Sequence, residues 1–201
     1  TGSAGLTLAL AWSVAPAGMV YTYENREDAY RGARANLERV GLLPHVTMHL
    51  RGIDDGFVEE GVDALFLDVR EPWEFIAQVR KALRPGGIFA ALMPTTNQVS
   101  SLLEVMEAQG FADIAVEEIL LRPYKPVPDR LRPMDTMTAH TGYLAFGRML
   151  ADVSEAGRWL SKSRQRFLAR REMEAEYAAT AEARELARNP EGKKYPPMPL
   201  P

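Results

Sequence analysis

The apolar run Val62-Asp63-Ala64-Leu65-Phe66-Leu67 breaks into Asp68-Val69-Arg70-Glu71-Pro72-Trp73, and no other stretch constrains the fold as tightly. An apolar run of strand length that ends in a carboxylate reads as a buried central strand whose last side chain emerges at the sheet edge. Pro72 disfavours helix at Glu71 and cannot extend a central strand, so the chain must turn there. In open α/β sheets ligands bind outside the carboxyl ends of the strands, which puts Asp68 where chemistry is usually done.

The segments on either side supply partners for such a strand. Thr1-Gly2-Ser3-Ala4-Gly5-Leu6-Thr7 is a glycine-rich loop opening a helix that ends near Pro16-Ala17-Gly18. Small residues there let the backbone approach a ligand, and helix-terminal N–H groups are left to bind it; a plain structural turn has the same composition. Met19 to Tyr23 is β-branched and aromatic and ends at Glu24, about 20 residues after the loop, the spacing at which an acid meets a ribose diol. Asn25 is placed to cap a helix over 26–40, with Ala29, Ala33, Leu37 and Val40 facing inward. A third strand covers 45–50; His45 and His49 receive no role. The loop 51–57 follows, with Ile53 as an apolar contact for an adenine ring and Asp54 as acceptor for its amino group, or as a simple acidic turn.

After Asp68 the pattern predicts a helix over 74–83 stopped by Arg84-Pro85-Gly86-Gly87, and a strand over 88–93. Pro94-Thr95-Thr96-Asn97-Gln98 caps a helix to Gln109, and further strands are expected over 116–121 and 142–146. Arg122, Lys125, Arg130, Arg132 and Arg148 make one basic region near the pocket. The segment from Asp152 to about Arg188 turns to Arg, Glu and Ala, with Trp159 and Phe167, and reads as one long exposed helix whose charges nearly cancel. The proline-rich 190–201 is expected to be disordered.

Composition narrows the function. A net charge of -3 gives no global attraction for nucleic acid, so any such binding must come from a local patch. Without cysteine, and with three scattered histidines, the chain predicts neither disulfides nor a metal centre. No apolar run reaches the roughly 20 residues of a membrane span, and the expected setting is the cytoplasm. The chain begins at Thr1 within a loop that normally follows a strand, which points to a missing N-terminal part.

The order of glycine loop, acidic strand tip and strand ending in Asp before Pro and an aromatic is the pattern of S-adenosylmethionine-dependent methyltransferases. DVREPW (68–73), PTTNQV (94–99) and AHTGYL (139–144) together resemble the tRNA adenine-N1 methyltransferase family, which modifies an adenosine of the T-loop. The resemblance covers residues 1 to about 150. It implies an α/β fold, a Rossmann-like class I methyltransferase sheet with helices on both faces. The first strand and an N-terminal β domain are missing, and a C-terminal helical extension is added. The expected divisions are a catalytic domain at 1–150, a charged helix at 151–189 and the tail.

The same resemblance implies that S-adenosyl-L-methionine is held by Gly2, Ser3, Gly5, Leu6, Glu24, Ile53, Asp54 and Asp68. The tRNA is expected at Trp73, Gln98, Arg122, His140 and Tyr143, in a homotetramer. The family has an acid before the Ile of the adenine loop where this chain has Gly52, and Asp54 is the candidate substitute. Adenine N1 already carries a lone pair, so the reaction needs positioning rather than deprotonation. Asp68 is therefore expected to accept the exocyclic amino N–H as positive charge develops, and Trp73 or Tyr143 to stack on a flipped base, unless these aromatics belong to the core. The alternative function is a non-catalytic tRNA-binding or scaffolding subunit of the same fold, suggested by Ala4 and Gly52.

Overall fold

The computed structural model describes residues 1–188, and the chain divides into two compact units, the first Thr1–Gly157 and the second starting at Arg158. The proline-rich tail lies outside the described residues.

The first unit opens with α1 (Gly5–Val14), β1 (Val20–Glu24), α2 (Glu27–Arg39) and β2 (Val46–Leu50). β1 and β2 pair in parallel, Tyr23 opposite His49 and Glu24 opposite Leu50. Small side chains let the helices sit close: Ala4, Ala11, Ala33, Leu37 and Val46 form a buried cluster of their own. Asn25 does not cap α2. Arg26 holds that position without a side-chain cap, and the Glu24 carboxylate reaches the Arg26 amide instead.

The larger sheet combines β3 (Val62–Leu67), β4 (Leu83–Met93), β5 (Phe111–Glu117) and β8 (Tyr143–Met149) in the order β3-β4-β8-β5. β3 runs parallel to β4, whereas β8 is antiparallel to both neighbours. Between them lie α3 (Ile76–Ala82), α4 (Thr96–Ala108) and the short hairpin β6 (Tyr124–Lys125) and β7 (Arg132–Pro133). Leu67, Ile76, Val79, Phe89, Met93, Leu102, Met106 and Phe111 make the main core. The second unit holds α5 (Lys162–Arg188), and a short 3-10 stretch, Val153–Trp159, lies across the division.

Several expectations need correcting. Among the described residues β3 pairs only with β4, so it is an edge strand rather than a central one, and Asp63 and Ala64 are exposed. One side of β1 is likewise unpaired among the described residues. Pro72–Phe75 forms a 3-10 turn before α3, with Pro72 at its first position, where the missing N–H costs nothing. α3 stops at Ala82, close to the expected end, but the chain passes straight into β4 from Leu83, and the Arg84-Pro85-Gly86-Gly87 run is absorbed as an irregularity between the Val62–Leu83 and Ala64–Ile88 pairs. Gly86, with φ +79, supplies the left-handed residue there. The strand expected at 116–121 lies earlier, because Phe111 and Ala112 are the side chains that reach the core. Ile119, Leu120 and Leu121 are exposed and belong to no strand. The helix expected from Asp152 begins only at Lys162.

Candidate active site

The glycine loop and the tip of β1 form one hydrogen-bonded corner. Gly2 (φ +53) and Ala4 (φ 69) both adopt left-handed backbone, which turns the loop tightly into α1. Ala4 is the helix N-cap and is fully buried, so its methyl packs inward where the family usually has glycine. The first intrahelical bond runs from the Leu8 amide to the Ala4 carbonyl, 2.8 Å, which leaves the Gly5, Leu6 and Thr7 amides at the helix mouth. A Cβ built on Gly2 would meet nothing within 4 Å, so the loop backbone faces open space.

Glu24 is 9% exposed. Its Oε2 accepts the Gly2 amide at 2.9 Å and its Oε1 the Arg26 amide at 3.0 Å. Burial pushes this carboxyl up, but the Arg26 and Gly2 amides outweigh it and hold it below the usual carboxylate range. A carboxylate has about four lone-pair sites, and two are used here; the other two suit a vicinal diol. An open glycine backbone, free helix-mouth amides and a half-committed carboxylate fit a nucleoside cofactor.

The adenine-loop candidates lie beyond β2. Ile53 packs against the main core, and Asp54 is exposed. A Cβ on Gly52 would fall 2.7 Å from Asp54 Oδ2. The Asp54 carboxylate thus folds back into the space that a side chain at 52 would take.

Sequence reasoning missed the anchor of this loop. Tyr23 donates its hydroxyl to Glu59 Oε2 at 2.5 Å and accepts the Val58 amide at 2.7 Å. His49 meets Glu59 Oε1 at 2.7 Å, and its ring lies 4.7 Å from that of Tyr23. Phe57 adds an edge contact to Tyr23 at 5.3 Å. Burial and the Glu59 hydrogen bond raise the Tyr23 phenol, so the hydroxyl keeps its proton and the tie to Glu59 persists. The available signal was the register: Tyr23 and His49 end adjacent parallel strands.

The second constellation surrounds Asp68, which is exposed at the end of β3. Asp68, Val69, Arg70, Leu92, Pro94, Gln98 and Thr141 line a cleft of about 440 Å³. Thr95 caps α4, its Oγ1 accepting the Gln98 amide. Gln98 in turn donates from Nε2 to the Arg70 carbonyl at 3.0 Å, tying the α4 mouth to the DVREPW turn. His140 bridges Glu118 Oε1 at 2.5 Å and the Pro94 carbonyl at 2.7 Å. Both partners accept, so both ring nitrogens donate, and the Glu118 bond followed by the Pro94 bond raises the imidazole above its ordinary value. Gly142 sits at φ +155, where a Cβ would meet Leu92 Cδ1 at 2.9 Å and the Met93 carbonyl at 3.4 Å. PTTNQV and AHTGYL are thus parts of one joint.

The remaining candidates are scattered. Trp73 and Tyr143 are half-buried and both pack against the main core, Tyr143 with its ring 4.7 Å from His140. Arg122 is exposed ahead of β6. Arg148 leaves the expected basic region altogether. It is opposite Ile88 in the middle of β4, donates to the Gly86 carbonyl at 2.7 Å and pairs with Asp113. Lys125 is paired with Asp135 across the hairpin.

Comparison with known proteins places this arrangement. A family profile described as "tRNA methyltransferase complex GCD14 subunit" matches residues 1–131. The chain belongs to this family. It is 32% identical over 145 residues to the Thermus thermophilus tRNA (adenine(58)-N(1))-methyltransferase TrmI, covering 72% of this chain and 57% of that protein. A Methanocaldococcus jannaschii TrmI, named for adenines 57 and 58, is 30% identical over 176 residues, covering 74% and 62%. Among solved structures, the Aquifex aeolicus tRNA (m1A58) methyltransferase TrmI superposes with TM-score 0.69 at 42% identity over 76% of this chain and 60% of that one. A Thermotoga maritima protein described as a SAM-dependent O-methyltransferase gives TM-score 0.73 at 46% identity over 75% and 57%. The fold is therefore the Rossmann-like α/β fold of these methyltransferases. The chain spans only about 34 to 62% of the length of the first curated relatives it matches.

Proposed function

We propose that this chain is the catalytic part of an enzyme that transfers a methyl group from S-adenosyl-L-methionine to N1 of an adenosine in the tRNA T-loop. The observation that carries this reading is the cleft where Asp68, the Pro94–Gln98 turn and Thr141 converge, three family motifs around one carboxylate. The cofactor supplies an electrophilic methyl group on a sulfonium. Gly2, Ser3, Gly5 and Leu6 receive its amino-acid end, Glu24 the ribose diol, and Ile53 with Asp54 the adenine ring. Asp68 borders both the cofactor and the target base.

The protein's task is placement. N1 needs no proton removed, so Asp68 acts as an acceptor for the exocyclic N–H, whose positive character grows as N1 is alkylated. That interaction strengthens toward the transition state and so lowers the barrier. Trp73 and Tyr143 offer a wall for the base, while Arg122 remains a phosphate contact. Gln98 and His140 spend polar groups on the Arg70 and Pro94 carbonyls, so we assign them to holding the cleft's shape around the substrate.

The scaffolding alternative is disfavoured. Of the relatives with about this identity, the Cryptococcus neoformans protein, 31% identical, is named a catalytic subunit. Assembly as a homotetramer in the cytoplasm completes the proposal. Its support is the apolar surface of the hairpin region, where Ile119, Leu121, Leu131 and Met137 are 42 to 79% exposed. Incubating the protein with unmodified tRNA and labelled cofactor, then digesting to nucleosides, should release N1-methyladenosine. A ribose-methylated nucleoside instead would replace this reading with O-methylation.

A further inference from the structure

The charges of α5 are arranged against its own stability. Residues 158–171 carry Arg158, Lys162, Arg164, Arg166, Arg170 and Arg171 and no acid; Glu172, Glu174 and Glu176 follow. The first turn of α5 contains no acidic residue. A helix favours acids at its N-terminus and bases at its C-terminus, so this order opposes the macrodipole. Lys162, Arg166 and Arg170 also stand at successive i, i+4 positions, where like charges repel. A solvated helix that served only to be soluble would interleave acids there, yet the acids come after. Arg170 meets the exposed Glu174 at 2.8 Å, a pair worth little in water.

At about 100° per residue Lys162, Arg166 and Arg170 form a stripe within an arc of about 80°, and Phe167, Arg171 and Arg164 occupy an adjoining arc of about 60°, so cations wrap about 200° of the helix and leave Leu168, Glu172, Gln165 and Ala169 on the remainder. The guanidinium carbons of Arg164 and Arg171 lie 5.2 and 5.9 Å from the Phe167 ring centroid. That ring is 48% exposed. Two guanidiniums drawn to one exposed aromatic combine anion contacts with a stacking surface, the pairing used to hold nucleic acid without reading sequence. The chain as a whole is acidic at -3, so this patch is local.

We propose that the basic face of α5 is an RNA-contacting surface that grips the phosphate backbone of the tRNA. That the RNA is tRNA rests on the function proposed above; the polyanion contact rests on α5 alone. An anion along this face offsets both the repulsion and the dipole mismatch. Lys162 to Arg171 spans about 13 Å of helix axis, enough to follow several phosphates on one strand.

The test uses the full chain carrying Lys162→Gln, Arg166→Gln and Arg170→Gln together, since Gln retains helix propensity. Binding of unmodified tRNA is measured by fluorescence anisotropy from about 50 to about 300 mM salt, with methylation kinetics in parallel. The expected result is a Kd raised about 10- to 100-fold near physiological salt, with a log–log salt slope shallower by about 2 to 3. KM for tRNA should rise while kcat is unchanged, and helical circular dichroism should be retained. An unaltered Kd and slope would overturn the proposal, as would loss of binding to anionic phosphatidylserine vesicles with RNA binding intact. If the wild-type chain bound RNA through these residues but made no methylated nucleoside, this inference would stand and the proposed activity would fail. Methylation with RNA binding unmoved by the substitutions would leave the activity standing and overturn the role given to α5.

Discussion

Replacing Glu24 by Gln probes the corner on which the glycine loop depends. Wild-type Glu24 is nearly buried and accepts two backbone amides, one on each oxygen, at 2.9 and 3.0 Å. Gln keeps the volume but only one acceptor oxygen, and turns its NH2 toward the other amide. Hydrogen bonds to a charged group contribute about 1.5–3 kcal/mol, and the variant loses one and weakens the other. Relief of the buried charge returns part of this, so the net destabilisation should be about 2 kcal/mol. With a urea m-value of about 2 kcal/mol/M, the midpoint should fall by about 1 M.

The pH dependence fixes the mechanism. Glu24 is held below its ordinary range, so its contribution is present above the unfolded carboxylate value near 4.3 and is lost as pH falls through the lower folded value. The variant should therefore differ most from wild type at neutral pH and converge with it in acid. Cofactor affinity measured by calorimetry should fall at least about tenfold, as the diol loses a charged acceptor. A wild-type urea midpoint with an unchanged acid limb would refute the argument that Glu24 organises the loop.

Three other outcomes follow from the same geometry. His140 is raised by Glu118 and Pro94, so its clamp is complete below the ordinary histidine value near 6.5 and is lost as pH rises through the higher folded value. An NMR titration should place the His140 imidazole above a free histidine, and His140→Gln should abolish that alkaline dependence of the midpoint; a normal or lowered imidazole would contradict the bridge. Gly142→Ala forces a methyl against Leu92 at a backbone angle that L-residues avoid, and should cost on the order of 1–3 kcal/mol by urea denaturation. A wild-type midpoint there would count against the tight PTTNQV–AHTGYL joint. Asp54→Ala should weaken cofactor binding about tenfold, and Gly52→Asp should restore it in the double variant only, because with Asp54 present the two carboxylates contend for one space. Unchanged cofactor binding in Asp54→Ala would show that Asp54 is not the substitute acid.

Local patterns were legible where one element decides its own conformation. The β1 tip at Glu24, the Thr95 cap of α4 and the turn at Pro72 all follow from neighbouring residues, and the three motifs pointed to the family profile now matched. Strand position was not legible, because an apolar run looks the same at an edge as at a centre: β3 has a partner on one side only among the described residues. Nor was the second role of the Arg84–Gly87 run, which follows the end of α3 as expected and also serves an irregular strand pairing. The missed side-chain ties share a cause. His49 to Glu59, His140 to Glu118 and Arg148 to Asp113 all join residues through the register of strands or the path of a loop, which no local period encodes.

The central claim rests on Asp68 as acceptor for the adenine amino group. Its most direct test is single-turnover methylation of unmodified tRNA, with saturating cofactor and enzyme, comparing wild type with Asp68→Ala and Asp68→Asn. Losing a group that strengthens in the transition state should slow the chemical step by about 10²–10³-fold in Asp68→Ala, with a smaller loss in Asp68→Asn, whose carbonyl still accepts. Wild-type turnover in Asp68→Ala would contradict the account.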